Sequence, residues 1–110
     1  MSIFICEKCG KLDNSGNGNN YWAVQSNKFC LSEGKEILIP FKDEYFNTHA
    51  CCGYCCEGIE YIDGSGVLQG NKYNTISDKP YYEIEDFLGE GIENYEFILK
   101  RDKERRKQNG

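Results

Sequence analysis

The pattern of apolar and polar positions divides the chain into a β-rich first part and a helical last part. Apolar runs at 2–5, 21–26 and 35–41 contain the β-branched and aromatic residues typical of strands, and 35–41 gives the strongest signal. Residues 59–63 alternate apolar and polar positions, which favours a half-buried strand. Gly-Ser-Gly at 64–66 predicts a hairpin turn directly after it.

Polar, glycine-rich stretches separate these runs. Residues 13–20, Asp-Asn-Ser-Gly-Asn-Gly-Asn-Asn, offer no apolar side chain to bury and predict a flexible loop. The stretch begins like a calcium-binding loop, but its twelfth position is Val24, where such a loop needs a bidentate glutamate. Residues 70–74 predict a second, turn-rich connection.

The pattern becomes helical after residue 77. A proline near the start and apolar residues at helical spacing predict a short helix at about 81–88. Ile92, Tyr95 and Leu99 share one helical face and predict another helix from 92 to about 107. Acidic residues come first in this segment and basic residues last, an order that complements the helix dipole.

Length and composition indicate one small domain. The chain has 110 residues, of which 39% are hydrophobic and 14% aromatic. A core of this size is modest, and small domains often need a disulfide or a metal as an additional staple.

Charge is unevenly distributed. The net charge is −5, but residues 100–110 carry +4 and the rest of the chain carries −9. An acidic body repels phosphate, so nucleic acid is a poor general partner. The basic tail is expected to be a solvated helix end. The alternative is that it contacts nucleic acid or a partner through four basic residues, Lys100, Arg101, Arg105 and Arg106.

Cysteine content points to a metal site. The first ten residues lack the basic and apolar regions of a signal peptide, and no apolar stretch is long enough to span a membrane. We therefore expect a cytoplasmic protein, in which seven cysteines indicate a metal site with spare thiols rather than disulfides.

Two Cys-x-x-Cys units supply a complete set of ligands. Cys6 and Cys9, followed by Gly10, have the spacing of a zinc knuckle, in which two thiolates reach one ion. Cys52 and Cys55 repeat the spacing after 42 intervening residues. The sequence therefore predicts that these four cysteines bind Zn²⁺, with iron as the alternative metal.

Three neighbouring side chains are alternative ligands. His49, the only histidine, could replace one cysteine, although a surface or supporting role is favoured. Cys51 with Cys55, or Cys52 with Cys56, are four residues apart and could chelate from a helix, but Gly53 and Gly58 argue against a helix there. Cys51 and Cys56 are then interpreted as thiols that pack in the core. A seventh cysteine, Cys30, stands alone and is expected to be buried or half-buried.

The paired knuckles resemble the zinc-ribbon class, with rubredoxin-like proteins as structural neighbours. They are also similar to short zinc-ribbon proteins of bacteria and their phages, which open with a knuckle followed by an Asn/Gly loop and a tryptophan, here Trp22. The resemblance covers about the first 65 residues. In the second knuckle it is incomplete, because Cys56 stands where the first has Gly10.

The resemblance implies a small zinc-ribbon-type antiparallel sheet, and the helical pattern after residue 77 adds one or two C-terminal helices, so the predicted fold class is α+β. Residues 1–76 would form the β region with both knuckles, and 77–110 the helical segment with the basic tail, within one domain.

The predicted function is a non-enzymatic module in which structural zinc supports interaction with another macromolecule, with a protein as the favoured partner. Four thiolates leave no position open for the water that catalytic zinc needs. The alternatives are nucleic-acid binding through the basic tail and a small rubredoxin-like metal or thiol redox protein.

Overall fold

The computed structural model describes residues 2–71 and 75–109, with side chains up to Arg105. Over these residues the fold is mixed α+β, as predicted, with one two-stranded antiparallel sheet and four α-helices. None of these helices is long and apolar enough to cross a membrane. The elements are β1 (Ile3–Ile5), β2 (Leu12–Asn14), α1 (Tyr21–Ser32), α2 (Tyr45–Thr48), α3 (Gly53–Cys56), a 3₁₀ turn (Tyr81–Glu83) and α4 (Tyr95–Asn109).

The strand predicted at 2–5 is confirmed as β1. It pairs with β2 in a hairpin whose register places Phe4 opposite Asp13 and Ile5 opposite Leu12. Phe4 and Ile5 are fully buried. The turn between the strands carries the first Cys-x-x-Cys unit.

The strand predicted at 21–26 is wrong, because these residues begin helix α1. Tyr21, Val24 and Asn27 are buried at a spacing of three, while Trp22 is exposed, which is a helical pattern. Tyr21 and Val24 pack against Phe4. Strand propensity is weak, and here tertiary packing overrides it.

The strand predicted at 35–41 is also absent, because a side chain takes the place of a neighbouring strand. The buried Asn27 amide accepts from the backbone N–H of Ile39 at 2.7 Å and donates to its carbonyl at 2.9 Å. Leu38 is 66% exposed. Only Phe41 forms a bridge, to Tyr61.

The strand predicted at 59–63 is reduced to two single bridges, Phe41 with Tyr61 and Glu60 with Val67. The chain does reverse around 64–66, with a hydrogen bond of 3.0 Å from Tyr61 N to Gly66 O. In the turn predicted at 70–74, residues 72–74 lie outside the described part of the chain.

The loop predicted at 13–20 is wrong at its start, because Leu12–Asn14 form β2, and it also differs from expectation in its burial. Asp13, Ser15 and Asn20 are buried, because their polar side chains bind backbone and side-chain groups within the protein. The absence of apolar residues therefore did not imply exposure.

The C-terminal segment is less helical at its start than predicted. The helix predicted at 81–88 is wrong apart from the 3₁₀ turn, and Asp86 has a positive φ of 64° that a helix does not allow. The last helix starts at Tyr95 rather than at 92. Instead, Asn94 just before it contacts β1 through its side chain. The side-chain oxygen of Asn94 accepts from Ile5 N at 2.7 Å, and its side-chain nitrogen donates to Ile5 O at 2.8 Å.

Helix α4 is anchored on the hairpin by one buried side chain. Ile98 is fully buried and packs in a cluster with Ile5, Leu12 and Tyr81. This contact brings the C-terminal segment beside the turn that carries Cys6 and Cys9.

Candidate metal centre

The four predicted cysteine ligands meet at one point. The Sγ atoms of Cys6, Cys9, Cys52 and Cys55 all lie within 4.8 Å of one another. Three of the separations are 3.7 Å for Cys6–Cys55, 3.6 Å for Cys9–Cys52 and 3.8 Å for Cys52–Cys55. Four sulfurs bound tetrahedrally at about 2.3 Å are about 3.8 Å apart. The spacing therefore fits a tetrahedral ion with four sulfur ligands.

The first knuckle is the turn of the β1–β2 hairpin. Cys6 N donates to Lys11 O at 2.8 Å and Gly10 N to Cys6 O at 2.9 Å, which folds the turn back on itself. Cys9 N lies 3.4 Å from Cys6 Sγ, so the backbone donates to a candidate ligand. Gly10 has φ +79°, a backbone conformation that residues other than glycine rarely adopt.

The second knuckle runs into the one-turn helix α3. The backbone N–H groups of Cys55 and Cys56 both donate to Cys52 O at 3.0 Å. The prediction that Gly53 and Gly58 prevent a helix here is wrong. Gly53 is the first helical residue, where a Cβ would lie 2.6 Å from Asn71 N, and Gly58 follows the helix. Glycine is thus required at 53 by close packing.

Asp13 fixes the start of α3. Its carboxylate is fully buried and accepts from Gly53 N at 2.7 Å. It also accepts from the side-chain amides of Asn17, at 2.9 Å, and Asn19, at 3.2 Å. A buried carboxylate needs several such donors, and the loop at 13–20 supplies them.

Asn20 holds the segment between α2 and α3. Its amide nitrogen donates to Phe46 O at 2.8 Å and to His49 O at 2.9 Å. Its oxygen accepts from Cys51 N at 2.7 Å. Sequence reasoning missed both Asp13 and Asn20. The only signal was a dense run of Asn and Asp, which is equally typical of a surface loop.

Glu7 lies inside the first knuckle, where it binds the segment that leads to the second knuckle, and it was also missed. It exchanges two hydrogen bonds with Ala50: Glu7 N donates to Ala50 O at 2.9 Å, and Glu7 Oε2 accepts from Ala50 N at 2.6 Å. Its other oxygen lies 3.6 Å from Arg101 Nη1. A charged residue between two cysteine ligands was the available signal.

His49 and the spare cysteines lie beside the cluster. His49 Nδ1 is 2.9 Å from Tyr45 O, and its ring stacks on that of Tyr45 at 4.2 Å. Cys51 Sγ donates to His49 O at 3.3 Å, and Cys56 Sγ to Cys51 O at 3.2 Å. Cys51 and Cys56 are fully buried.

The pKa values of these thiols differ because their surroundings differ. Hydrogen bonds from Cys51 and then from the other cluster thiols lower the pKa of Cys6 far below its ordinary value. Those from Cys52 and Cys55 lower the pKa of Cys9 to about 7. Within the cluster, Cys6 and Cys9 are therefore the thiols that most readily give the thiolate form that binds metals.

Other thiols in the group are less acidic. Hydrogen bonding with Cys52 raises the pKa of Cys55. The bond with Cys55 has the largest effect on Cys52 and lowers its pKa, but the bonds with Cys6 and Cys9, together with burial, raise the pKa of Cys52 overall. Burial raises the pKa of Cys56 to about 12, so it stays a thiol at neutral pH.

The basic residues predicted to contact a partner do not all lie on the surface. Lys100 and Arg105 are exposed on α4. Arg101 is mostly buried and pairs with Glu7 and Asp102, at 3.6 Å and 3.7 Å. The side chain of Arg106 lies outside the described residues.

Cys30 is half-buried, as expected. It borders a groove on α1 with Trp22, Phe29 and Leu38.

Comparison with models of known protein families, with curated proteins and with solved structures gives no match. The chemistry of the site therefore has to be inferred from its own residues. Four converging sulfurs can hold one metal ion, and when all four bind, no position is left for a water or a substrate.

Proposed function

We propose that Cys6, Cys9, Cys52 and Cys55 bind a structural zinc ion in a zinc-ribbon-like centre. The observation that carries this proposal is that all four sulfurs lie within 4.8 Å of one another and that three of their separations are 3.6–3.8 Å, which fits tetrahedral coordination. Bound zinc would tie the N-terminal hairpin to the middle of the chain, and its ligands come from segments more than 40 residues apart. A reducing compartment such as the cytoplasm would keep these thiols available.

The ion would have a structural role. Bound by four thiolates, it has no exchangeable position, so the centre would neither activate water nor polarise a carbonyl. Zinc-binding free energy is folding free energy when the ligands are apart in the unfolded chain. We infer that the centre stabilises the fold and that function resides on the surface.

We further propose that this surface binds another protein. Trp22 and Phe29 lie on the same face of α1 and are 62% and 65% exposed. Leu38, beside them, is 66% exposed. Exposed apolar groups that share a groove are typical of protein-interaction sites. Tryptophan is also among the residues that contribute most to such interfaces.

Protein is favoured over nucleic acid because of where the basic residues lie. Arg101 is paired with two carboxylates, so it is not displayed for phosphate. Binding through the tail would rest on the exposed Lys100 and Arg105, beside a body that carries −9. Electrostatic repulsion from that body would oppose it.

Metal analysis of the purified protein tests the centre. We expect one zinc per chain, lost when any one of the four ligands is changed to serine and retained in Cys51→Ala and Cys56→Ala. A folded wild-type chain without metal would refute the proposal. One iron per chain would instead support the rubredoxin-like alternative.

Partner capture with matched variants tests the surface. Trp22→Ser and Phe29→Ser should abolish recovery of a partner that the wild-type chain retains. Leu88→Ser is the control, because Leu88 is 74% exposed but lies outside the groove. Equal recovery by all the variants would show that the α1 surface is not the binding site.

A further inference from the structure

We propose that the metal centre and helix α4 form one coupled unit, so that docking of α4 strengthens metal binding and metal binding orders α4. The inference rests on the proposed zinc site. It is carried by a closed circuit of contacts through Glu7, Arg101, Asp102, Tyr81 and Gly10, here called the knuckle–helix circuit. The circuit begins and ends inside the first knuckle.

The first half of the circuit is the ion pair between Glu7 and Arg101, which is largely shielded from solvent. Glu7 lies between Cys6 and Cys9, and its side chain is 3% exposed. Its carboxylate faces Arg101, whose side chain is 23% exposed, at 3.6 Å. Removing one partner from such a pair leaves a buried charge without compensation, which is costly. The pair therefore sets the position of α4 relative to the knuckle.

The second half returns from α4 to the knuckle. Arg101 Nη2 lies 3.7 Å from Asp102 Oδ1, and the Tyr81 hydroxyl donates to the other oxygen of the same carboxylate. Tyr81 N then donates to Gly10 O at 2.7 Å. Gly10 directly follows the ligand Cys9. The two ends of the circuit thus enclose the ligand pair of the first knuckle.

The circuit also reaches the second knuckle. Glu7 exchanges two hydrogen bonds with Ala50, two residues before Cys52. The same carboxylate therefore contacts α4 through one oxygen and the segment leading to the second ligand pair through the other. A shift of either knuckle would disturb Glu7, and a shift of Glu7 would remove one of the two carboxylates that pair with Arg101.

Thermodynamic linkage makes this connection reciprocal. If docked α4 holds the two knuckles in the arrangement that binds metal, undocking it must lower the metal affinity by the same factor by which metal loss weakens docking. Couplings of this kind are typically fivefold or more. A solvated helix end would show no coupling.

The test is zinc affinity, measured on the full chain by competition with a chromogenic chelator. Arg101→Ala should weaken zinc binding by about fivefold or more. Arg105→Ala is the matched control, because Arg105 lies one turn further along α4 and is exposed. Its affinity should equal that of the wild type.

A double-mutant cycle separates coupling from general destabilisation. Glu7→Gln keeps an acceptor for Ala50 N but removes the charge that faces Arg101. If the pair transmits the effect, Glu7→Gln with Arg101→Ala should bind zinc no more weakly than the worse single variant, whereas independent losses would multiply.

Hydrogen exchange of the zinc-loaded proteins gives a second readout. In Arg101→Ala, amides of α4 should exchange faster than in the wild type, while Gly10 N in the knuckle stays protected. The coupling is overturned if Arg101→Ala and Arg105→Ala have equal zinc affinity, or if the single losses multiply. A wild-type chain that binds no zinc would instead refute the proposed function itself.

Discussion

The two knuckles share the Cys-x-x-Cys spacing, but they are supported in different ways. The first lies between β1 and β2, whose strand pairing holds the hairpin that carries it. The second lies in a one-turn helix that no described strand flanks, and buried side chains of Asp13 and Asn20 hold it. The spacing of the ligands is thus a local property of the sequence. The contacts that hold a knuckle in place can come instead from strand pairing or from polar side chains distant in sequence.

This difference predicts different sensitivities. The first knuckle is supported in part by backbone pairing of β1 with β2, which does not depend on the identity of a side chain. The second knuckle depends on a few buried amides and one carboxylate, each of which satisfies several backbone groups. Substitutions there should be more costly than substitutions of similar residues near the first knuckle.

The largest expected effect is that of removing the metal, which the two knuckles would share. Extraction by a strong chelator should abolish the folded structure, because structural zinc contributes about 10 kcal/mol or more of folding free energy. Circular dichroism before and after extraction, and after zinc is returned, measures this. An unchanged spectrum of the metal-free protein would show that the knuckles hold together without an ion.

The next effect is confined to the second knuckle. Asn20→Ala removes the partner of Cys51 N, Phe46 O and His49 O, and the loss should be about 3 kcal/mol or more in the free energy of unfolding. Denaturant titration of the metal-loaded protein measures it. In the control Asn14→Ala, which removes one exposed bond to Gly16 N, the loss should be about 1 kcal/mol or less. Equal losses would remove the distinction between the knuckles.

A smaller effect belongs to the first knuckle. Gly10→Ala should cost about 1–2 kcal/mol from its positive φ alone. Crowding should add to this, because the new Cβ would lie 3.2 Å from Pro80 Cβ. Gly64→Ala is the control, with φ +73° and no atom within 4 Å of the new Cβ. If thermal denaturation shows equal losses, packing of Pro80 on the first knuckle is unimportant.

The smallest effect is expected at Cys56, which stands in the second knuckle where Gly10 stands in the first. Its backbone is helical, so a side chain is tolerated there. Cys56→Ala should retain the bound zinc and lose about 1 kcal/mol of stability. Metal content and a denaturant titration of the same sample check both expectations. Loss of zinc would mean that Cys56 is a ligand.

The sequence was most informative where chemistry depends on spacing within a few residues. Cys-x-x-Cys and the glycine after it predicted the first turn, and the apolar run before it predicted β1. The four cysteines that the spacing singled out are the four whose sulfurs meet. Local patterns of this kind are independent of what packs against them.

The sequence was least informative where distant side chains replace local structure. Residues 35–41 have strand character, but Asn27 satisfies the backbone of Ile39 and no ladder forms. Residues 13–20 look like a surface loop, but Asn20 and Asp13 are buried through contacts with residues 26 and 40 positions away. No local pattern distinguishes a buried asparagine from an exposed one.

X-ray absorption at the metal edge of the loaded protein tests the central claim most directly, because it counts the ligand atoms. The account predicts zinc with four sulfur atoms at about 2.3 Å and no nitrogen or oxygen neighbour. Three sulfurs with one nitrogen at about 2.0 Å would place His49 in the centre and contradict the four-cysteine site.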